Sequence, residues 1–355
     1  MNTEATSGVQ QGPDSRESVR LLFSAAWPGM FEIEDLSGSG IEVSLIRRSV
    51  DWGVSRWRHA WLLARDCVRI ARASRHHDVT IVCTGGIETF LVPMLWPLFR
   101  LQRTPLVMLD PIALASDRLD RLWRASMRHV SLVLCIRKGD IATYGRRFGV
   151  PAERCRFVPM PAPQIGVEPE STSGEPVTEG DYVYSAGLAH RDWPLLFKAC
   201  ESLPYRCIVS TPAADLVNMR VPANVEIRPA LSPEEGRRLM RNAAVVAVTF
   251  EDTDLACGPT IVLDALAMGI PVVANDTSAC RDYIVHGSTG LLSGTKDHGG
   301  LAENITALME NPQLRATMGA EGRRVAHGEL GRAVFEEEVS RIVNDLHRVQ
   351  HPLNG

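Results

Sequence analysis

The chain has 355 residues, 45% of them hydrophobic and 23% charged, with a formal net charge of −4. That length suits two domains of ordinary size, and the composition is that of a soluble globular protein rather than a disordered, fibrous or membrane-spanning one. Eight cysteines are scattered without any Cys-x-x-Cys, which argues against a zinc site or a disulfide framework and fits reduced core residues in the cytoplasm.

Residues 1–18 are polar and lack a basic start followed by an apolar stretch, so a disordered tail is expected there and no signal peptide. No uncharged run approaches the ~18 residues of a membrane span. Charge is uneven. Residues 19–165 hold 21 Lys and Arg against 13 Asp and Glu, and residues 166–355 hold 16 against 26. A basic first half facing an acidic second half points to an anionic partner for the first. The expected location is cytoplasmic, with a peripheral contact at the inner membrane face.

In the first half, residues 19–25 read as a buried strand, and Trp27-Pro28-Gly29 as a turn at its C-terminal end. A second strand covers 41–46. Residues 54–75 form a helix in which Trp57, Trp61, Leu62 and Val68 lie among six arginines (Arg56, Arg58, Arg65, Arg69, Arg72, Arg75). A third strand, 78–83, runs into Thr84-Gly85-Gly86 and a helix from about residue 87. Glu88 at that junction either assists an acceptor hydroxyl or caps the helix.

Residues 90–103 are unusually apolar and contain Pro93 and Pro97, which would kink a helix. They read as a core helix or as an interfacial patch carrying Trp96, Phe99, Arg100 and Arg103. The strand 105–109 ends at Asp110-Pro111. Arg118, Arg121, Arg124 and Arg128 recur at helical spacing and form a basic stripe for anionic lipid or phosphate, or a solvated face. Nucleic acid is not expected, since no aromatic stacking pattern accompanies the arginines. A strand over 131–136, a helix to about 149 and a strand over 156–159 complete a first domain, 19–165.

Residues 166–180 have linker composition, and a second domain is expected over 181–332. It opens with a strand at 182–185 and a loop at Gly187. Beyond it lie Arg191 and Asp192, which could pair at the surface. The strand 206–210 ends where Ser210 or Thr211 would face a nucleotide. The strand 225–228 leads into Pro229-Ala230, and Ser232-Pro233-Glu234-Glu235 is a strong helix start.

Residues 244–248 and 271–274 read as buried strands flanking a helix that ends at Gly269. At the start of that helix Gly258 lets backbone approach a ligand, and the first-turn amides after Pro259, at Thr260 and Ile261, lack intrahelical partners and suit a phosphate. Asp264, about one turn on, is placed to accept hydrogen bonds from a ribose diol. The plainer alternative is a packing glycine and a solvated aspartate. Helices over 299–311, 312–328 and 333–349 finish the chain.

The run Asp264-Ala265-Leu266-Ala267-Met268-Gly269-Ile270-Pro271-Val272-Val273, followed by Asp282-Tyr283-Ile284 and His286-Gly287-Ser288-Thr289-Gly290-Leu291-Leu292, resembles the donor-binding core of glycosyltransferase family four. The resemblance implies a GT-B α/β fold. Two Rossmann-like domains face across a cleft, and a C-terminal segment, 333–355, packs its helix back on the first. It implies metal-independent transfer of a sugar from a nucleotide diphosphate sugar, UDP- or GDP-linked, with retention of anomeric configuration. The acceptor would be a small molecule or a lipid-linked glycan.

By the same resemblance Gly187 and Arg191 lie in the loop that meets the donor diphosphate, and the base sits near Arg228 and Ala230. Asp110 stands where similar enzymes often carry a His beside the reacting carbon. The sequence departs from the pattern at the first of two glutamates, whose position falls on Ala256; Glu251 and Asp254 in the same loop are stand-ins. Asp252-Thr253-Asp254 has the letters of a metal motif but lies in a loop. A sugar-nucleotide epimerase and a non-catalytic nucleotide-binding module stay open as alternatives.

Overall fold

The computed structural model describes residues 18–25, 31, 33, 36–47, 56–85, 88–112, 119–165, 182–188, 190–229, 231–253 and 259–352. Trp27-Pro28-Gly29, Gly86, Arg118, Ala230, Asp254, Ala256 and Gly258, all singled out above, lie outside them, as do residues 1–17 of the expected tail.

The first half builds β1 (Val19–Ala25), β2 (Ile41–Arg47), α1 (Arg56–Ala73), β3 (Val79–Gly85), α2 (Glu88–Leu98), β4 (Leu106–Ile112), α3 (Asp120–Met127), β5 (Leu132–Cys135), α4 (Lys138–Phe148) and β6 (Cys155–Phe157). Its six strands form one parallel sheet in the order β2-β1-β3-β4-β5-β6. Parallel strands need helical crossovers that cover both faces, so they read as unbroken apolar runs. Leu106 to Leu109 are fully buried for that reason.

The second half repeats the plan with β7 (Tyr182–Ala186), α5 (Trp193–Cys200), β8 (Arg206–Ser210), β9 (Val225–Ile227), α6 (Pro233–Arg241), β10 (Val245–Val248), α7 (Thr260–Met268), β11 (Val272–Asn275), α8 (Ser278–Arg281), β12 (Gly290–Ser293), α9 (His298–Glu310), α10 (Pro312–His327) and α11 (Arg332–Gln350). Its parallel sheet runs β12-β11-β10-β7-β8-β9.

Local chemistry sets the helix ends. Ser232 and Glu235 form a reciprocal capping box at α6, Asp192 caps α5 by accepting from Leu195 N at 2.9 Å, and Gly269 ends α7 in the left-handed conformation, φ 74°. α10 crosses α7 closely enough that a Cβ on Gly319 would sit 2.0 Å from the Gly269 carbonyl. Only glycine permits that approach.

Hydrogen bonds, an ion pair and ring packing join the two halves. Tyr283 donates its hydroxyl to the Ile136 carbonyl at 2.6 Å and accepts from Met160 N at 3.0 Å. The Lys138 amide donates to Asp282 at 2.8 Å. α11 returns to the first domain, where Phe335 packs on Phe31 at 5.9 Å; Glu338 faces Arg156 at 3.7 Å. This is the expected crossing back.

Two open surface alternatives are narrowed. In the apolar stretch 90–103 the core-helix reading describes most of α2, with Phe90, Val92, Pro93 and Trp96 buried. α2 stops at Leu98, Trp96 is buried with its indole N–H on the Thr104 carbonyl, and Phe99 lies under Arg75. The arginine stripe is broken too, because Arg124 turns back to donate to the Arg147 carbonyl at 2.7 Å, at the last turn of α4. Among the described residues, no helix is long and apolar enough to cross a membrane.

Candidate active site

In each sheet the strand order reverses beside the first strand, between β1 and β3 and between β7 and β10. Ligands of open parallel sheets bind outside the strand ends at such a switch. The chain places its chemistry there on both sides.

On the first domain, Glu88 is buried in the first turn of α2. Asp110 lies at the end of β4 with φ 46°, left-handed backbone inside a strand and directly before Pro111. Residues before proline avoid helical backbone, and aspartate is one of the few side chains that tolerate the left-handed region. The surroundings hold it there: Tyr144 of α4 donates its hydroxyl to the Pro111 carbonyl.

The Asp110 side chain is 8% exposed, and its buried Oδ1 has no hydrogen-bond partner among the described residues. Burial pushes its carboxyl up to about 7, helped by the negative Asp140 and opposed by Arg137. Arg137 and Asp140 are themselves a buried ion pair. Desolvation, left-handed backbone and an unsatisfied oxygen thus coincide at this one side chain.

On the second domain, the loop after β7 is zipped to the end of β10. The Asp192 amide donates to the Thr249 carbonyl at 3.1 Å and the Glu251 amide to the His190 carbonyl at 3.0 Å. Arg191 lies across this junction. Its guanidinium stacks on Phe250, 4.2 Å from the ring centroid, and Nε donates to the Ala186 carbonyl at 3.0 Å.

Gly187 has φ 146°, and a Cβ there would fall 2.0 Å from that Nε. Gly187 is therefore the space Arg191 occupies, a role the sequence did not disclose. Asp192, the alternative partner of Arg191, caps α5. Glu251, one stand-in for the missing carboxylate, faces His190 at 3.4 Å.

α7 starts at the same rim. Pro259 occupies the N-cap without a side-chain cap. The first helical bond runs from the Leu263 amide to the Pro259 carbonyl at 3.0 Å. The Thr260 and Ile261 amides thus lie at the uncapped positive end of the helix. Asp264, one turn further, is half-buried, and no hydrogen bond or ion pair among the described residues holds it. Desolvation raises its carboxyl to about 6, against the attraction of Arg237.

Tyr184, overlooked in the sequence, faces both Ser210 and Asp264. Thr211 Oγ1 lies 3.1 Å from the Gly187 carbonyl and 3.2 Å from Asp215. The Arg228 amide donates to the Val209 carbonyl at 2.8 Å and its Nε pairs with Glu226 at the sheet edge. The structure therefore gathers Gly187, Arg191, Ser210, Pro259, Thr260, Ile261 and Asp264 on one rim, with Asp110 and Glu88 on the strand ends of the other sheet.

Residues 217–325 match the family model described as glycosyl transferases group 1. α7 and Asp264 fall inside the match; Arg191 and the whole first domain fall outside it. A capsular polysaccharide biosynthesis glycosyltransferase, CapM of Staphylococcus aureus, is 27% identical over 84 residues, spanning 24% of this chain and 22% of that relative. The match thus reaches about a fifth of the relative's length.

Among solved structures, HepE of Anabaena, crystallised with UDP and glucose, is 16% identical, with a TM-score of 0.66 over 92% of this chain and 100% of that one. The sucrose-phosphate synthase of Thermosynechococcus elongatus is 12% identical, with a TM-score of 0.67 over 93% and 100%. At such identities the likeness is one of fold, and that fold is GT-B.

Proposed function

From a GT-B chain whose residues 217–325 form a glycosyl transferases group 1 segment, we propose transfer of a sugar from a nucleotide diphosphate sugar to an acceptor hydroxyl. The observation that carries this is the start of α7. It is a positive helix end whose Pro259 N-cap offers no side-chain cap, with Asp264, unpartnered among the described residues, one turn on, inside the matched segment and at the switch point of the second sheet. Amides at Thr260 and Ile261 and the Arg191 guanidinium would hold the diphosphate and stabilise the charge it gains as the C1–O bond breaks. Asp264 would hold the ribose. The acceptor oxygen, oriented by Asp110 from across the cleft, would form the new C1–O bond as its proton passes to the departing diphosphate.

Retention of configuration and independence of metal belong to the same reading, as does a UDP- or GDP-linked donor; the UDP complex of HepE favours the former. The acceptor would be a small molecule or a lipid-linked glycan. The test is a screen of UDP- and GDP-sugars for stabilisation of the full chain, followed by nucleotide release, product NMR and the same assays in EDTA. Release with an α product from an α donor is expected, unchanged by EDTA. Absence of binding to every nucleotide sugar would refute it.

One observation favours a second reading, a silent nucleotide-binding module: Ala256 stands at the first acidic position. Binding without any transfer or donor hydrolysis would select it.

A further inference from the structure

We infer that the outer face of α1 docks the protein on an anionic lipid surface. The inner face of this helix, through Cys67, Ile70 and Ala71, is buried in the first domain. Its outer face is neither buried nor simply polar. Trp57 is 88% exposed and Trp61 62%. Trp61, Ala64 and Val68 line a shallow groove of about 450 Å³ whose remaining walls are Arg65, Arg69 and Arg72. The Arg65 guanidinium lies over the Trp61 ring at 5.5 Å. On α2, which packs beside α1, Leu98 is 73% exposed and Met94 40%.

Two exposed indoles on one helix exceed the scattered apolar surface of an ordinary monomer. The charge around them names the occupant. The only carboxylates in α1 and α2, Asp66 and Glu88, are buried; Asp66 pairs with Arg65 at 3.0 Å, which leaves Arg69 and Arg72 as the exposed cations of the groove, with no exposed carboxylate on either helix. Indoles seat at the headgroup level while arginine stems lie along the acyl boundary with their heads among anionic phosphates. A second copy of the chain would bring the same positive face against itself, at an electrostatic cost.

The topology gives the docking a direction. Only Ser74 to Asp78 join α1 to the start of β3, so the end of α1 sits at the N-terminal edge of the sheet. The helix, about 27 Å long at its normal rise, runs back from the opposite edge. Trp57 and Trp61 therefore lie at the strand-end rim that carries Asp110. Seating them in a bilayer would turn the cleft mouth to the lipid. Docking stands without the proposed transfer; only its consequence, a lipid-anchored acceptor, rests on that reading.

The experiment is flotation of the full chain with phosphatidylcholine vesicles and with equimolar phosphatidylcholine and phosphatidylglycerol, with tryptophan quenching by brominated lipid. Trp57→Ala/Trp61→Ala and Arg69→Glu/Arg72→Glu are compared with the native chain after melting curves confirm their fold. Binding to the mixed vesicles alone is expected, reversed by salt and weakened at least about tenfold by either double substitution, with quenching lost in the tryptophan pair. Equal binding to both vesicles, none to either, or binding untouched by the substitutions would overturn the inference. So would a dimer, or capture of polyglutamate, abolished by the substitutions while vesicles are ignored. Nucleotide-sugar turnover is measured in parallel, so a failed transfer reading leaves the docking result independent.

Discussion

Asp110→Asn should make the protein more stable at neutral pH while removing a group the proposed reaction uses. In the native fold the carboxyl is held up at about 7 by burial, against an ordinary 3.8. The sign follows from linkage. The folded chain keeps this proton to a higher pH than the unfolded chain, so stability is full below about pH 4 and lost as pH climbs towards 7. A carboxyl held at about 7 rather than 3.8 makes the loss about 1 kcal/mol at pH 4.5 and about 4 kcal/mol at pH 8.

Asparagine has the same shape, carries no charge to desolvate and tolerates the left-handed backbone as well as aspartate does. A buried amide that finds imperfect partners returns about 1–2 kcal/mol of that gain. A net gain of about 2–3 kcal/mol is expected at pH 8, falling to none or a small loss at pH 4.5. Urea unfolding at the two pH values, followed by tryptophan fluorescence, measures it. An equal effect at both, or a destabilisation at pH 8, would refute the claim that the fold tolerates a costly ionised acid. Gained stability with lost transfer is the trade expected of a functional acid.

Other perturbations test the second rim. Asp264→Ala should weaken nucleotide binding by about 1–3 kcal/mol, the worth of hydrogen bonds to a charged acceptor, as read by calorimetry. In the native chain the same affinity should fall as pH drops through about 6, where the carboxylate takes up its proton; a flat profile would count against the ribose contact. Arg191→Ala should lower kcat more than it raises KM, since charge on the departing diphosphate grows only in the transition state, and steady-state kinetics at varied donor will show it. Gly187→Ala drives a methyl into the Arg191 guanidinium at a backbone angle alanine resists. It should mimic the Arg191 loss in kcat while lowering the melting temperature, which Arg191→Gly in the same background should partly restore.

Much of this protein was legible from sequence because the deciding chemistry is local. Strands buried on both faces write unbroken apolar runs such as 244–248, and caps write Ser232-Pro233-Glu234-Glu235 and Gly269. The uncapped start of α7, with Asp264 a turn later, follows from spacing alone. Other features depend on residues that the chain brings together from afar. Tyr283 reaches Ile136 from 147 positions away, and Asp110 owes its raised carboxyl to packing and to Asp140 on the next strand's helix.

The basic surface shows the limit most plainly. The sequence set Trp57, Trp61, Leu62 and Val68 among six arginines in one helix without showing which of them the sheet would cover. Packing buried Cys67 and Ile70, buried Trp96 in the stretch that read as core or interface, and left Trp57 and Trp61 in water. Sequence fixes which side chains share a face; whether that face is covered depends on what the rest of the chain lays against it.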